Sequence, residues 1–199
     1  MLTLPATGSE MNGNSVVSRE ETHEKLAFGS DAVLPRFSIL DPETPYSLPA
    51  RQTTNGIVDA MVHVFEQYAT KDVNTPLQDR QAEAVLATLI EEDPKVMANP
   101  TDYEARANVM WCAAHVLNRN LSSGVVQVWA THMIGHELTA VYGLDHAQTL
   151  AIVLPGVWWF KRDAKAKKVV QFGRRVLGVT ADDENAAFEE TVSATEAFW

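Results

Sequence analysis

With 199 residues, of which 46% are hydrophobic and 21% are charged, the chain has the composition of a globular protein, and this excludes disorder along its whole length. The formal net charge of −10 argues against nucleic-acid binding as the main function, because an acidic surface repels phosphates. The chain has a single cysteine, Cys112, which excludes an intrachain disulfide. The sequence also shows no signal peptide and no apolar run long enough to span a bilayer, so together these features predict a cytoplasmic protein.

Residues 1–44 differ in pattern from the rest of the chain. Short β-prone runs at 16–18 (VVS) and 37–40 (FSIL) lie among Gly, Asn and Pro residues. After residue 45, apolar residues recur at three- and four-residue steps, which is typical of helices that bury one face. The predicted helices cover 55–68, 82–90, 103–117, 127–142, a segment that starts near residue 145, 164–177 and 183–198. This pattern predicts a mainly α, bundle-like domain.

Several residues predict where these helices begin and end. We expect Thr53 and Thr54 to cap the first helix, because their hydroxyls accept hydrogen bonds from free backbone N–H groups. Gly143 is expected to end the fourth helix, since glycine readily adopts the left-handed conformation found there. Pro155 is expected to bend or stop the fifth, because it lacks the N–H that a helix uses.

Both ends of the chain have the pattern of interior segments. Residues 2–4 (LTL) are typical of a buried strand, and the last helix finishes on Phe198 and Trp199 without a polar tail. We therefore expect a piece of a longer protein. The alternative is that Trp199 folds back onto the core.

Four polar side chains occupy positions that suit a metal site. Asp59 and His63 are four residues apart in a mostly apolar segment, so they share one face of the predicted helix. His132 stands on a later predicted helix, and His146 follows the turn at 142–145. One carboxylate and three imidazoles suit Fe²⁺ or Zn²⁺, and they suit Ca²⁺ or Mg²⁺ poorly.

Spacing alone leaves a simpler interpretation open. A histidine on a helix is usually a core or surface residue, and an Asp–His pair four residues apart is often a local hydrogen bond. His136 and Glu137 do not complete the zinc-peptidase motif His-Glu-x-x-His, because residue 140 is alanine. An oxygenase with two histidines and one carboxylate is disfavoured, since such a site uses fewer ligands than are present.

Three segments resemble the iron-containing (group III) alcohol dehydrogenase family. Residues 3–10 (TLPATGSE) are similar to its Thr-x-x-x-Thr-Gly-Ser-Glu segment, and residues 55–63 (NGIVDAMVH) to its first metal-binding helix. Residues 132–138 (HMIGHEL) and 143–147 (GLDHA) are similar to its second. Within the family, the chain looks most like bacterial NADPH-dependent aldehyde reductases and butanol dehydrogenases.

The resemblance implies a metal-dependent alcohol dehydrogenase or aldehyde reductase. Hydride would pass between a nicotinamide cofactor and a short-chain aldehyde or alcohol, and the metal, Fe²⁺ or Zn²⁺, would polarise the carbonyl oxygen. His136 would lie beside the nicotinamide and the substrate as a catalytic residue. The implied metal ligands are Asp59, His63, His132 and His146. The alternative is a non-catalytic fragment that retains only metal binding.

The resemblance also implies cofactor contacts and a domain organisation. Thr3, Thr7 and Lys25 would contact NADP(H), with NAD(H) as the alternative. Residues 1–44 would be the tail of a nucleotide-binding α/β domain, and residues 45–199 an all-helical metal-binding catalytic domain that is incomplete at its C-terminus. The Gly-Gly-Gly-Ser phosphate loop of the family is absent from the sequence, so we expect weak cofactor binding by these residues alone. Family members form homo-oligomers, which implies the same for this protein.

Overall fold

The computed structural model describes residues 2–199, and over this range it confirms the mainly helical fold. Strands β1 (Asn14–Arg19) and β2 (Glu24–Gly29) form an antiparallel hairpin, which precedes the helices. The helices are α1 (Ala50–Tyr68), α2 (Pro76–Ala98), α3 (Tyr103–Val116), α4 (Ala130–Tyr142), α5 (His146–Phe160), α6 (Arg162–Phe172) and α7 (Glu184–Phe198). A π-helical turn, Gly173–Leu177, extends α6.

Helix α1 forms the centre of the core. Every residue from Gly56 to Tyr68 is buried, so the helix has no solvent-facing side over this stretch. A helix of this kind must be surrounded by others, and α2, α3, α4 and α5 all contact it. Near its C-terminal end, the ring of Phe65 meets the edges of Trp158 and Phe172 at centroid distances of 5.0 and 4.9 Å. Side chains on α1 from Gly56 onward therefore lie in the buried core of the protein.

The start of α1 differs from the prediction. The helix begins at Ala50, directly after Pro49, so Thr53 and Thr54 lie inside it and the predicted caps are wrong. Proline suits this position because its missing N–H is one that a helix start leaves free. The buried Thr53 hydroxyl instead accepts a hydrogen bond from Arg106 Nη1 at 3.1 Å, which ties α1 to α3.

The ends of α4 and α5 show one correct and one incorrect prediction. Gly143 ends α4 in the left-handed conformation, with φ of 68°, as predicted. Helix α5 continues through Pro155 to Phe160, so the predicted stop is wrong, while the predicted bend stays a prediction. Leu154 and Trp158 on either side of the proline are 1% exposed, and their burial outweighs the lost backbone hydrogen bond.

The N-terminal segment forms a hairpin that lies against α4. Val17 pairs with Leu26 and Ser18 with Lys25 in its register. The β-prone run at 37–40 and residues 2–4 form no strand. At the other end of the chain, Trp199 packs partly against the core, as the alternative interpretation expected. Between residues 2 and 199, no helix combines the length and apolar character needed to cross a membrane.

Substitution of Phe65 by Ala is expected to lower the free energy of unfolding by about 3–5 kcal/mol, because it leaves a cavity between two aromatic rings. Urea denaturation monitored by circular dichroism measures this change. Phe37→Ala is the control: this ring is 84% exposed, and its loss is expected to change stability by less than about 0.5 kcal/mol. Equal effects of the two substitutions would contradict the placement of α1 at the centre of the core.

Candidate metal centre

Helix α1 presents two of the predicted ligands on one face. Asp59 and His63 lie one turn apart and are 4% and 5% exposed. Asp59 Oδ1 is 3.4 Å from His63 Nδ1. The carboxylate thus lies in the protein interior, where an ionised group needs a compensating partner.

Two further helices bring imidazoles to the same carboxylate oxygen. His132, in the first turn of α4, places Nε2 at 3.5 Å from Asp59 Oδ1. His146, the first residue of α5, places its own Nε2 at 3.5 Å from that oxygen. Donor atoms of Asp59, His63 and His132 all lie within 4.8 Å of one another, and His146 joins this set through Asp59. The structure therefore brings the four predicted ligands together from three helices.

Key atoms of this cluster are buried without a hydrogen-bond partner among the described residues. They are Asp59 Oδ1, His63 Nδ1 and His132 Nε2. Buried polar atoms are nearly always hydrogen-bonded, so three such neighbours form the arrangement expected of ligands to a cation. Tetrahedral ligands at about 2.1 Å from a metal lie about 3.4 Å apart. The separations of 3.4–3.5 Å around Asp59 Oδ1 fit this geometry.

The surroundings also set the protonation states of these groups. Burial acts to raise the pKa of Asp59, but the adjacent imidazoles outweigh it and lower the pKa to about 2. Burial lowers the pKa of His63 to about 4 and that of His146 to about 3, against the attraction of Asp59. Burial also acts to lower the pKa of His132, yet the adjacent carboxylates of Asp59 and Glu66 raise it to about 9. At neutral pH the carboxylate is ionised and two rings are neutral, which are metal-binding forms.

Glu66 is a polar residue of this site that the sequence analysis missed. It lies on α1 and is 2% exposed. Its carboxylate accepts a hydrogen bond from the backbone N–H of Thr131 at 2.5 Å and pairs with Nδ1 of His132. The sequence did hold a signal, because Glu66 stands seven residues after Asp59, on the same helical face of an apolar segment.

A polar bridge holds the start of α5 against α1. Asp145 directly precedes α5, and its Oδ2 accepts a hydrogen bond from Asn55 Nδ2 at 2.8 Å. Arg51 Nη2 lies 2.7 Å from the same oxygen. Because Asn55 is one turn before Asp59, the bridge holds His146 level with the Asp59 carboxylate.

A cleft of about 560 Å³ opens beside the cluster, between the β-hairpin and α4. Three residues that were predicted to act in cofactor binding or catalysis line it, namely Thr7, Lys25 and His136. Its apolar lining comprises Val16, Ala27, Phe28, Leu117, Trp129 and Met133. Thr3, the other predicted cofactor contact, lines a separate pocket beside Glu10 and is not brought to this cleft.

Lys25 affects the protonation of His136 in the cleft. Burial lowers the pKa of Lys25, although the charge of Asp59 opposes this. Burial, and then the positive charge of Lys25, lower the pKa of His136 to about 4. The His136 ring centroid is 5.3 Å from that of His146. At neutral pH the cleft therefore has an uncharged imidazole beside the candidate ligands.

Gly135 allows α4 to approach α5 closely. A Cβ atom at this position would lie 2.8 Å from Thr149 Oγ1 and 3.1 Å from Leu150 Cδ2. The Thr149 hydroxyl donates a hydrogen bond to the His146 carbonyl at 2.7 Å, so it is not free to turn away. One glycine thus sets the distance between the helices that carry His132 and His146.

Comparison with known protein families assigns both parts of the chain to one family. Residues 53–199 match the Fe-containing alcohol dehydrogenase family, C-terminal, and residues 1–42 match iron-containing alcohol dehydrogenase. The chain belongs to the iron-containing alcohol dehydrogenase family. The resemblance seen in the three sequence segments is thereby confirmed.

Individual relatives place the chain within this family. NADPH-dependent aldehyde reductase YqhD of Escherichia coli K12 is 53% identical over 100% of this chain and 51% of its own. Probable NADH-dependent butanol dehydrogenase 2 of Bacillus subtilis is 41% identical over 100% of this chain and 52% of its own. The crystal structure of E. coli YqhD matches with a TM-score of 0.97 over 99% of this chain and 50% of that one. The chain spans about half the length of these relatives.

Gly135→Ala is expected to lower the free energy of unfolding by about 1–3 kcal/mol, because the added methyl group overpacks the contact with Thr149. Gly156→Ala is the matched control on α5, where an added Cβ meets no atom of the described chain within 4 Å. It is expected to raise stability by about 0.5–1 kcal/mol through helix propensity. Urea titrations of both variants measure the difference, and a stabilised Gly135→Ala variant would contradict the close helix approach.

Proposed function

We propose that Asp59, His63, His132 and His146 bind a single divalent transition metal ion. The observation that carries this proposal is the set of three atoms buried without a partner in the described chain, Asp59 Oδ1, His63 Nδ1 and His132 Nε2, with His146 Nε2 3.5 Å from the same carboxylate oxygen. One carboxylate and three imidazoles suit both Fe²⁺ and Zn²⁺, so the donor set favours neither.

We infer that the full protein transfers hydride between a nicotinamide cofactor and a short-chain aldehyde or alcohol. Membership of the alcohol dehydrogenase family and the open cleft beside the ligands support this activity. Thr7 and Lys25 line the cleft and are the proposed cofactor contacts there, while Thr3 stays a prediction from the resemblance. The E. coli relative is named as NADPH-dependent and the B. subtilis relative as NADH-dependent, so NADP(H) is proposed with NAD(H) as the alternative.

The residues of the chain have separate tasks in the proposed reaction. When bound, the metal ion acts as a Lewis acid toward the carbonyl oxygen of the substrate. Phe28, Trp129 and Met133 give the cleft an apolar wall, which favours short, unbranched substrates. His136 is neutral at pH 7, so it gives up a ring N–H proton to the product oxygen as it takes a proton from solvent on its other nitrogen.

We also propose that the two parts of the chain have different functions. Residues 1–44 carry the cofactor side of the cleft as the tail of a nucleotide-binding α/β domain, and residues 45–199 are the helical part that holds the metal. The family matches over 1–42 and 53–199 support this division. The single cysteine, which is free and buried, supports a cytoplasmic location, and family membership supports a homo-oligomer.

A second function is that the chain binds metal without catalysing hydride transfer. The observation that favours it is the coverage of about half of each relative, because residues elsewhere in those proteins have no counterpart in these 199. The two functions share the metal site and differ in turnover, so one set of measurements separates them.

Replacement of His132 by Ala is expected to weaken metal binding by more than about 100-fold, because it removes a ligand that lies 3.5 Å from Asp59. Elemental analysis after dialysis, and titration with Zn²⁺, measure the loss. His115→Ala is the control, since this ring contacts the Trp111 carbonyl on α3 and lies outside the cluster. Wild-type metal content in the His132→Ala protein would reject the ligand assignment.

Reductase activity is tested with butanal and NADPH or NADH, monitored by loss of nicotinamide absorbance. The full protein loaded with Fe²⁺ or Zn²⁺ is expected to oxidise the cofactor only when aldehyde is present. Chelator-treated protein is expected to lose this activity and to regain it when the metal is restored. Bound metal without turnover would favour the second function, and metal-independent turnover would contradict the proposed role of the ligands.

A further inference from the structure

Glu66 is a buried acid that lies beside the candidate metal centre but outside its ligand set. It stands on the same face of α1 as Asp59 and His63, one turn beyond the histidine. It is 2% exposed, and both of its carboxylate oxygens point to the start of α4. Burial of a carboxylate costs free energy that its contacts must offset. The groups that Glu66 contacts therefore indicate its role.

The first contribution of Glu66 is to the backbone at the start of α4. The residue before this helix, Trp129, provides no side-chain cap. Glu66 replaces that cap from another helix, because its carboxylate accepts hydrogen bonds from the N–H groups of Thr131 at 2.5 Å and His132 at 3.3 Å. The backbone carbonyl of Glu66 also accepts a hydrogen bond from the backbone N–H of Val128 at 2.9 Å. The negative charge is further favoured by the positive end of the helix dipole.

The second contribution of Glu66 is to the His132 ring itself. The carboxylate pairs with Nδ1, so Nε2 is the nitrogen left facing the cluster. Nε2 is buried without a partner in the described chain and lies 3.5 Å from Asp59 Oδ1. A carboxylate on the far nitrogen of an imidazole fixes the orientation of the ring and makes it a stronger ligand.

We propose that Glu66 is a positioning residue for metal binding, which holds the His132 ring with Nε2 toward the cluster. The proposal rests on the metal site proposed above. Helix α1 would then supply two ligands and also the group that aims a third, which belongs to α4.

A purely structural role for Glu66 makes a different prediction. A glutamine at this position keeps the size of the side chain and still has a carbonyl oxygen for the Thr131 N–H, so it preserves most of a helix cap. It removes the negatively charged carboxylate that pairs with the His132 ring. Glu66→Gln therefore separates the positioning of His132 from the capping of α4.

The test is a titration of the metal-free chain with Co²⁺, whose visible absorption reports the number and geometry of its ligands. Wild-type protein is expected to bind Co²⁺, whereas Glu66→Gln is expected to bind it about 10–100-fold more weakly and with altered absorption bands. Glu83→Gln is the matched control, because Glu83 is 8% exposed and bonded to Tyr68 and Arg175, away from the cluster. This control is expected to keep wild-type affinity and bands even where its melting temperature falls.

The outcomes separate the two proposals. If the wild-type chain binds Co²⁺, and Glu66→Gln binds it with the same affinity and the same absorption bands, the positioning role is overturned and the metal site stands. Equal weakening by Glu66→Gln and Glu83→Gln would also overturn it, since the effect would then follow general loss of stability. A wild-type chain that binds no Co²⁺ would overturn the metal site itself and the positioning role with it.

Discussion

The negative charge of Asp59 must be balanced deep inside the protein, and much of the structure serves that requirement. Its carboxylate is 4% exposed and contacts three imidazoles, of which His63 and His146 are neutral at pH 7. Without compensation, a buried carboxylate costs several kcal/mol. In the metal-free chain the balancing charge is the proton on His132, whose pKa is about 9. In the proposed metal-bound form, a divalent ion takes over that task.

Helix α1 connects this electrostatic requirement to the fold. Along one face it carries Asn55, Asp59, His63 and Glu66, and the first and last of these reach α5 and α4. The same helix is buried on all sides from Gly56 onward, so the position of each polar group is fixed by close packing. The four candidate ligands of the described chain therefore all lie on helices, and two of them lie on the most deeply buried one.

The sequence contained enough to predict the helical fold and the four candidate ligands. Helices are visible because their apolar residues recur with the helical period, and metal chemistry limits which side chains can be ligands. Sequence spacing could not show that α1, α4 and α5 meet, because this depends on contacts between distant residues such as Gly135 and Thr149. Glu66 was missed for the same reason, since its role appears only when α4 lies next to it.

The incorrect predictions have separate physical origins. Thr53 has the right chemistry for a helix cap and Pro155 the right chemistry for a helix stop, yet both lie inside helices. The helix that contains Thr53 begins earlier, directly after Pro49, whereas at Pro155 the burial of Leu154 and Trp158 contributes more free energy than the local backbone preference. Local signals were most reliable where the chain meets solvent, as at Gly143, which is exposed and ends α4 as expected.

Because two of the four proposed ligands belong to the central helix and the others to α4 and α5, an ion held there would stabilise the packing of these helices. Any molecule that binds only the native state shifts the folding equilibrium toward it, in proportion to its concentration and affinity. Iron or zinc starvation would thus loosen α2, α3 and α5 along with α1, and expose the chain to proteases. Cellular abundance of such a protein would follow the supply of its metal, even with transcription held constant.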